Sequence, residues 1–161
     1  MILEIALIGG LLAVLSFIHF FVDWIFQSHS EAMVKHNNPK IRAKHCLIYT
    51  VGFVPLFLYC QFSWVEWLVA LNILFWSHFY LDTYQGVYLW AKYIRRPPEM
   101  TEPRKHIGVD GYTFVLPPDS KAGFIDFVQT TLGKILMIAI DQISHIACLI
   151  PISYIIFRHI K

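Results

Sequence analysis

Long apolar runs alternate with short polar segments along this chain, and their lengths predict mostly helices. Four runs approach the roughly 20 residues that a helix needs to cross a bilayer; they cover residues 4–27, 45–61, 64–93 and 135–157. Polar segments at 28–44 and 94–121 separate the first run from the second and the third run from the fourth. The pattern predicts an all-α fold, a polytopic membrane four-helix bundle, in which residues 1–161 form a single integral membrane domain.

The polar insertion between the third and fourth spans has structure of its own in this prediction. Val109-Asp110-Gly111-Tyr112 is typical of a tight turn between short strands, so the pattern indicates a short β-hairpin within the loop. Residues 122–134 are amphipathic and predict a helix that lies at the membrane interface. Pro55 falls inside the second span, where we expect a kink.

Composition and charge support a membrane protein and orient it. Hydrophobic residues make up 57% of the chain and charged residues 15%, against about 25% charged in ordinary soluble domains. Ten of the thirteen lysines and arginines lie in segments 28–44 and 92–121. Because basic loops stay on the cytoplasmic side, we predict that loops 28–44 and 94–121 are cytoplasmic. The pattern predicts that the chain crosses its membrane several times.

Histidine and aspartate stand four residues apart at three places within the apolar runs. These pairs are His19 with Asp23, His78 with Asp82, and Asp141 with His145. Four residues are about one helical turn, so each pair projects from one face of its helix. Ionisable groups inside a bilayer are costly unless they are paired or bound to something. The predicted topology brings all three pairs and His45 to one depth, so we expect them to form one site.

Imidazole and carboxylate groups together are ligands of divalent transition metals. We predict a divalent metal site with one or two ions, zinc favoured and iron or manganese as alternatives. Its expected ligands are His19, Asp23, His45, His78, Asp82, Asp141 and His145. Three glutamines are expected to support these ligands: Gln27, Gln85 and Gln142. A metal with an open position acidifies bound water, which is hydrolase chemistry; Asp23, Asp82 and Asp141 are the candidate catalytic carboxylates.

These residues favour a membrane-embedded metal-dependent hydrolase that acts on a lipid or lipid-linked ester or phosphoester at the cytoplasmic leaflet. The same groups also suit a transporter or channel component for protons or divalent metals, and they suit hydrogen bonds that only pack helices together. A third function is a non-enzymatic interaction protein that binds a partner through residues 92–121. Membrane lipids are the expected surroundings, a homo-oligomer is open, and no nucleic-acid partner is expected.

The order of these motifs also resembles a known family. HFFVDWIFQ at residues 19–27, His45, HFYLD at 78–82 and DQISH at 141–145 look like its signature. The family is an uncharacterised group of small bacterial and phage membrane proteins, domain of unknown function 3307. The resemblance extends over nearly the whole chain and implies a multi-pass protein of a bacterial inner membrane or a host cytoplasmic membrane. It implies no particular activity.

Overall fold

The structure is a computed structural model that describes residues 2–83, 85–90, 93, 104–107, 113–116 and 130–160. Its elements in chain order are α1 (Ile2–Ile25), α2 (His29–Val34), α3 (Pro39–Gly52), α4 (Val54–Tyr59), α5 (Trp64–Leu81), α6 (Gln85–Trp90), β1 (Arg104–Ile107), β2 (Thr113–Leu116) and α7 (Thr131–Ile160). The predicted all-α fold is confirmed. The chain divides into two compact units, residues 1–84 with 142–161, and residues 85–141.

Three helical segments of the described chain are long and apolar enough to cross a membrane: Ile2–Ile25, Pro39–Tyr59 and Thr131–Ile160. The predicted third span, 64–93, corresponds instead to α5, a break, and the short helix α6. α5 has 18 residues, and polar side chains such as Glu66, Asn72 and His78 lower its apolar character. α5 is therefore not among the helices that are long and apolar enough to cross a membrane.

Local chemistry explains where the second long helical segment begins and bends. The Asn38 side chain accepts hydrogen bonds from the backbone N–H groups of Lys40 and Ile41, so α3 begins at Pro39, well before the predicted apolar span. Proline has no N–H to donate to the preceding turn. Pro55 therefore lies in the first turn of α4, and the expected kink takes the form of a break between α3 and α4 at Phe53.

α5 ends at Leu81 because the following residues turn back on the helix. Asp82 is the C-cap residue of α5, and its backbone N–H donates to the His78 carbonyl at 3.0 Å. The Thr83 hydroxyl donates to the Tyr80 carbonyl at 2.6 Å. A side chain that hydrogen-bonds the backbone in this way competes with continuation of the helix. The Asp82 carboxylate consequently lies at a helix end.

The first unit contains α1–α5 and residues 142–160 of α7, packed around an aliphatic and aromatic core. Its buried hydrophobic residues are Leu15, Val22, Tyr49, Phe53, Phe57, Phe62, Ala70, Leu74, Leu149, Ile152 and Ile156. α3 packs against both α1 and α5. Large apolar side chains such as Phe17, Trp24 and Trp76 remain exposed on the outside. An apolar exterior of this extent is typical of a surface that faces lipid.

The second unit contains the predicted hairpin. β1 and β2 pair antiparallel, with Arg104 opposite Leu116 and Ile107 opposite Thr113. The hairpin prediction is confirmed, although its turn at 109–112 lies outside the described residues.

The predicted interfacial helix at 122–134 falls largely outside the described residues, and α7 begins at Thr131. The Thr130 hydroxyl accepts a hydrogen bond from the Gly133 N–H at 2.9 Å and so caps this helix.

Candidate metal centre

Three helices bring buried histidines and aspartates together at one end of the first unit. α1 contributes Asp23 from its last turn, and α3 contributes His45 from its second turn. α5 contributes His78 near its C-terminal end and Asp82 directly after it. Each of these four side chains belongs to a residue that is at most 5% exposed. We call Asp23, His45, His78 and Asp82 the donor cluster.

Polar atoms converge on Nε2 of His45. Asp23 Oδ1 and His78 Nε2 each lie 2.9 Å from it, and Asp82 Oδ2 lies 3.6 Å away. His78 Nε2 is in turn 3.4 Å from Asp23 Oδ1. An imidazole nitrogen carries either one hydrogen or one lone pair, so it makes one good hydrogen bond. The contacts around His45 Nε2 therefore exceed what hydrogen bonding alone explains.

The two oxygens of Asp82 differ in their surroundings. Oδ1 accepts a hydrogen bond from Lys35 Nζ at 2.9 Å, whereas Oδ2 has no hydrogen-bond donor within the described part of the chain. Oδ2 faces the Nε2 atoms of His45 and His78, at 3.6 and 3.5 Å. Buried carboxylate oxygens normally have a donor or a cation. A cation held by His45 and His78 would supply the missing positive charge.

Lys35 is part of this site, and the sequence reasoning missed it. Its Nζ lies 3.3 Å from His45 Nε2 and 3.8 Å from Asp23 Oδ1, in addition to its contact with Asp82. In the sequence it is one of several lysines in a polar segment, without a motif around it. The available signal was indirect, because two buried carboxylates need a positive charge nearby.

Contacts of α2 with α3 hold Lys35 in place. Arg42 Nη1 donates to the backbone carbonyls of Lys35 at 3.2 Å and His36 at 2.9 Å. Lys44 Nζ donates to Glu31 Oε1 at 2.6 Å, and this ammonium group lowers the pKa of Glu31 below its usual value. The backbone at Lys35 is thereby fixed, and its side chain extends into the donor cluster.

His19 lies beside the donor cluster and uses both ring nitrogens elsewhere. Its Nε2 donates to Gln142 Oε1 at 3.0 Å, and its Nδ1 forms a hydrogen bond of 3.1 Å with the Tyr49 hydroxyl. The Tyr49 ring stacks on His78, with ring centroids 3.9 Å apart. His19, Gln142 and Tyr49 thus form a hydrogen-bonded layer next to the cluster and support the ring of His78.

The remaining predicted site residues are His145, Gln27, Asp141 and Gln85. His145 is 2% exposed and borders the donor cluster, with Nε2 4.0 Å from Asp82 Oδ1. Gln27 follows α1, and its buried Nε2 makes no hydrogen bond within the described residues. Asp141 and Gln85 belong to the second unit, so the roles predicted for them stay predictions.

Cys46 is a further residue beside the donor cluster, and it is not among the predicted site residues. It is fully buried and free, and its Sγ lies within 4.8 Å of donor atoms of His78 and Asp82. Asp23, His45 and His78 form a second group of the same kind. The signal that could have found Cys46 is its position directly after His45, on a helix that packs between two others.

The helices, their apolar exterior and the buried ionisable centre define a polytopic helical membrane protein with a polar core site. A family model described as protein of unknown function (DUF3307) matches residues 11–161. The chain therefore belongs to this family, as the order of its motifs predicted. No curated protein and no solved structure matches the chain.

Proposed function

We propose that the donor cluster binds a divalent metal ion and that the protein is a membrane-embedded metal-dependent hydrolase. The observation that carries this proposal is the convergence of Asp23 Oδ1, His45 Nε2 and His78 Nε2, at separations of 2.9, 2.9 and 3.4 Å. Donor atoms about 2.0–2.1 Å from a tetrahedral zinc ion lie about 3.3 Å from one another. A small outward movement of these side chains accommodates such an ion.

The kinds of donor favour zinc. Two imidazole nitrogens and two carboxylates suit zinc, iron and manganese, whereas magnesium and calcium prefer oxygen donors alone. The thiol of Cys46 beside His78 and Asp82 adds a soft atom to the surroundings, which favours zinc or iron over manganese. We therefore expect zinc as the resident ion, bound by Asp23, His45 and His78.

Asp82 is the proposed catalytic base. A metal ion in the cluster supplies Lewis acidity and a water of lowered pKa. Asp82 Oδ2 faces the same histidine nitrogens from the side of α5, within reach of a proton on a group bound there. The proposed substrate is a lipid or lipid-linked ester or phosphoester that arrives from the bilayer. The apolar exterior of the unit and the position of the cluster at the helix ends both support this substrate class.

The metal content of the purified protein tests the site. We expect at least one equivalent of zinc or iron in the detergent-solubilised chain prepared without chelators and resupplied with both metals. His78→Ala and Asp23→Asn are expected to lower this content to background, because each removes a donor atom. His29→Ala, which changes an exposed histidine on α2, is the matched control and is expected to retain the metal. Wild-type protein without stoichiometric metal would refute the proposal.

Hydrolysis is tested separately, on vesicles that contain labelled ester and phosphoester lipids. Activity is expected to disappear with a chelator and to return with zinc. Asp82→Asn is expected to retain metal and to lose activity by about 10²–10⁴-fold, the range typical of a lost general base. A metal-loaded protein that hydrolyses none of these lipids, or an Asp82→Asn variant of full activity, contradicts the enzymatic part of the proposal.

One observation favours a second function, the movement of protons or divalent ions. Lys35 Nζ already occupies the donor cluster as a cation, and buried His, Asp and Lys groups of this kind are common in ion and proton pathways. In that case the protein reconstituted in liposomes transports protons or metal, and Asp23→Asn and Asp82→Asn abolish the flux. Absence of flux from metal-loaded protein removes this alternative.

A further inference from the structure

The ammonium group of Lys35 lies where the metal ion is proposed to bind. Its Nζ lies 2.9 Å from Asp82 Oδ1, 3.3 Å from His45 Nε2 and 3.8 Å from Asp23 Oδ1. Two of these atoms, His45 Nε2 and Asp23 Oδ1, are proposed ligands of the metal ion. Lys35 is 9% exposed, so water offers this ammonium little screening. A divalent ion and the ammonium group therefore compete for the same space and the same negative charge.

Charge balance determines whether the ammonium group and a divalent ion occupy the donor cluster together or whether the ion displaces the ammonium group. With both cations in place, three positive charges face the two carboxylates of Asp23 and Asp82 in a buried site. With the ammonium withdrawn, a divalent ion and two carboxylates are balanced. Burial of a net charge is costly, so the balanced arrangement is strongly favoured.

We propose that Lys35 is the resident cation of the donor cluster and that a metal ion binds by displacing its ammonium, which makes Lys35 the residue that sets cation selectivity. This inference rests on the proposed metal site. A monovalent ion gains little by replacing an ammonium of equal charge. A divalent ion with a strong preference for nitrogen gains both charge balance and two imidazole ligands. The site thereby rejects sodium and potassium and responds weakly to magnesium and calcium.

The surroundings of Lys35 allow its side chain to leave without unfolding α2. Arg42 holds the backbone carbonyls of Lys35 and His36, and the Lys44–Glu31 pair holds α2, so the backbone stays fixed. The side chain of lysine is long and flexible, and its ammonium reaches polar surroundings while the stem stays on apolar surface. Withdrawal of Lys35 also releases Oδ1 of Asp82, which frees the proposed base when the metal arrives.

Zinc affinity of matched lysine variants tests the competition. Lys35→Met keeps the length and apolar stem of the side chain and removes its charge, and Lys40→Met changes an exposed lysine of α3. We expect Lys35→Met to bind zinc about 10- to 100-fold more tightly than wild type, since the ion no longer has to break charge-assisted hydrogen bonds. Lys40→Met is expected to match wild type. Equal affinities in all three proteins overturn the inference.

Chemical labelling of the wild-type chain gives a second measurement, which does not depend on a variant that folds. Lys35 is expected to resist acetylation in metal-free protein and to be modified at least tenfold faster with saturating zinc, with Lys40 as the exposed reference. Magnesium at the same concentration is expected to change nothing.

The outcomes separate the two proposals. Zinc binding with Lys35 still protected sinks the displacement and leaves the metal site intact. No zinc binding by wild type or Lys35→Met removes both proposals. Zinc binding by Lys35→Met but not by wild type overturns the displacement together with the native metal site, because the ammonium group then keeps the metal out.

Discussion

At the residue scale, chemically identical side chains have different roles because their nitrogens face different partners. His19 and His78 each precede an aspartate by four residues. His19 makes hydrogen bonds with Tyr49 and Gln142 through both nitrogens, whereas His78 Nε2 faces His45 and Asp23. In the proposed metal site His78 is therefore a ligand, whereas His19 anchors the hydrogen-bonded layer beside the donor cluster.

Tyr49 links these two histidines, and its two parts are separable by substitution. Tyr49→Phe keeps the ring that stacks on His78 and removes the hydroxyl that faces His19. We expect a loss of about 1 kcal/mol in the free energy of unfolding, with zinc affinity within a few-fold of wild type. Tyr49→Leu also removes the stacked ring and is expected to weaken zinc binding further. Thermal unfolding and zinc titration measure both effects; a larger loss of affinity in Tyr49→Phe than in Tyr49→Leu contradicts this division of roles.

At the scale of elements, the site exists because three helix boundaries coincide. α1 ends two residues after Asp23, α5 ends immediately before Asp82, and α3 begins one turn and a half before His45. The Asn38 cap and the turn at Thr83 set two of these boundaries. Helix ends bring side chains close to loops, which is how Lys35 reaches the cluster.

Close approach of α1 and α3 near the site depends on Gly52. A Cβ atom at this position would overlap both Cγ atoms of Val22, a stiff β-branched side chain. Gly52→Ala is therefore expected to destabilise the protein by about 1–3 kcal/mol through overpacking, measured by thermal or denaturant unfolding in detergent.

Two further variants make this prediction specific. Gly9→Ala places a methyl group where no atom lies within 4 Å, so it is expected to be neutral or to stabilise α1 by up to about 1 kcal/mol. Gly52→Ala combined with Val22→Ala is expected to recover part of the loss, since the overlapping atoms are gone. A Gly52→Ala protein as stable as wild type would show that the helices separate freely.

At the scale of the whole molecule, the first unit has two polar ends with an apolar core between them. The donor cluster lies at one end, and at the other His159 contacts Glu66 at 2.7 Å, where Glu66 also caps the start of α5 with Ser63. Fifteen residues of helix separate Ser63 from His78, about 22 Å at 1.5 Å per residue. The cluster is therefore well removed from that end of the bundle.

The distribution of basic residues predicts which end faces the cytoplasm. Ser30 lies on α2 near the donor cluster, and Ile2 lies at the far end of α1; both are exposed. A membrane-impermeant maleimide is expected to label Ser30→Cys in inverted vesicles and Ile2→Cys in intact cells, with the unaltered chain as the background control. The reverse labelling pattern would contradict the orientation inferred from the positive charges.

The sequence by itself determined the helical membrane class, the hairpin and most of the buried polar residues. Apolar length and the four-residue spacing of His and Asp are local properties, readable without coordinates. Asp23, His45, His78 and Asp82 were identified because ionisable groups in apolar runs are rare and costly. Pro55 similarly marked the bend between α3 and α4.

Only the tertiary structure decided which of these residues contact one another, and at what distances. Lys35 enters the site from a polar segment through the fixed position of α2, and Cys46 enters because α3 packs between α1 and α5. His19 is turned toward Tyr49 and Gln142, residues 30 and 123 positions away. Such contacts depend on how helices that are distant in the sequence pack together. Spacing along the chain shows only which side chains lie on the same face of one helix.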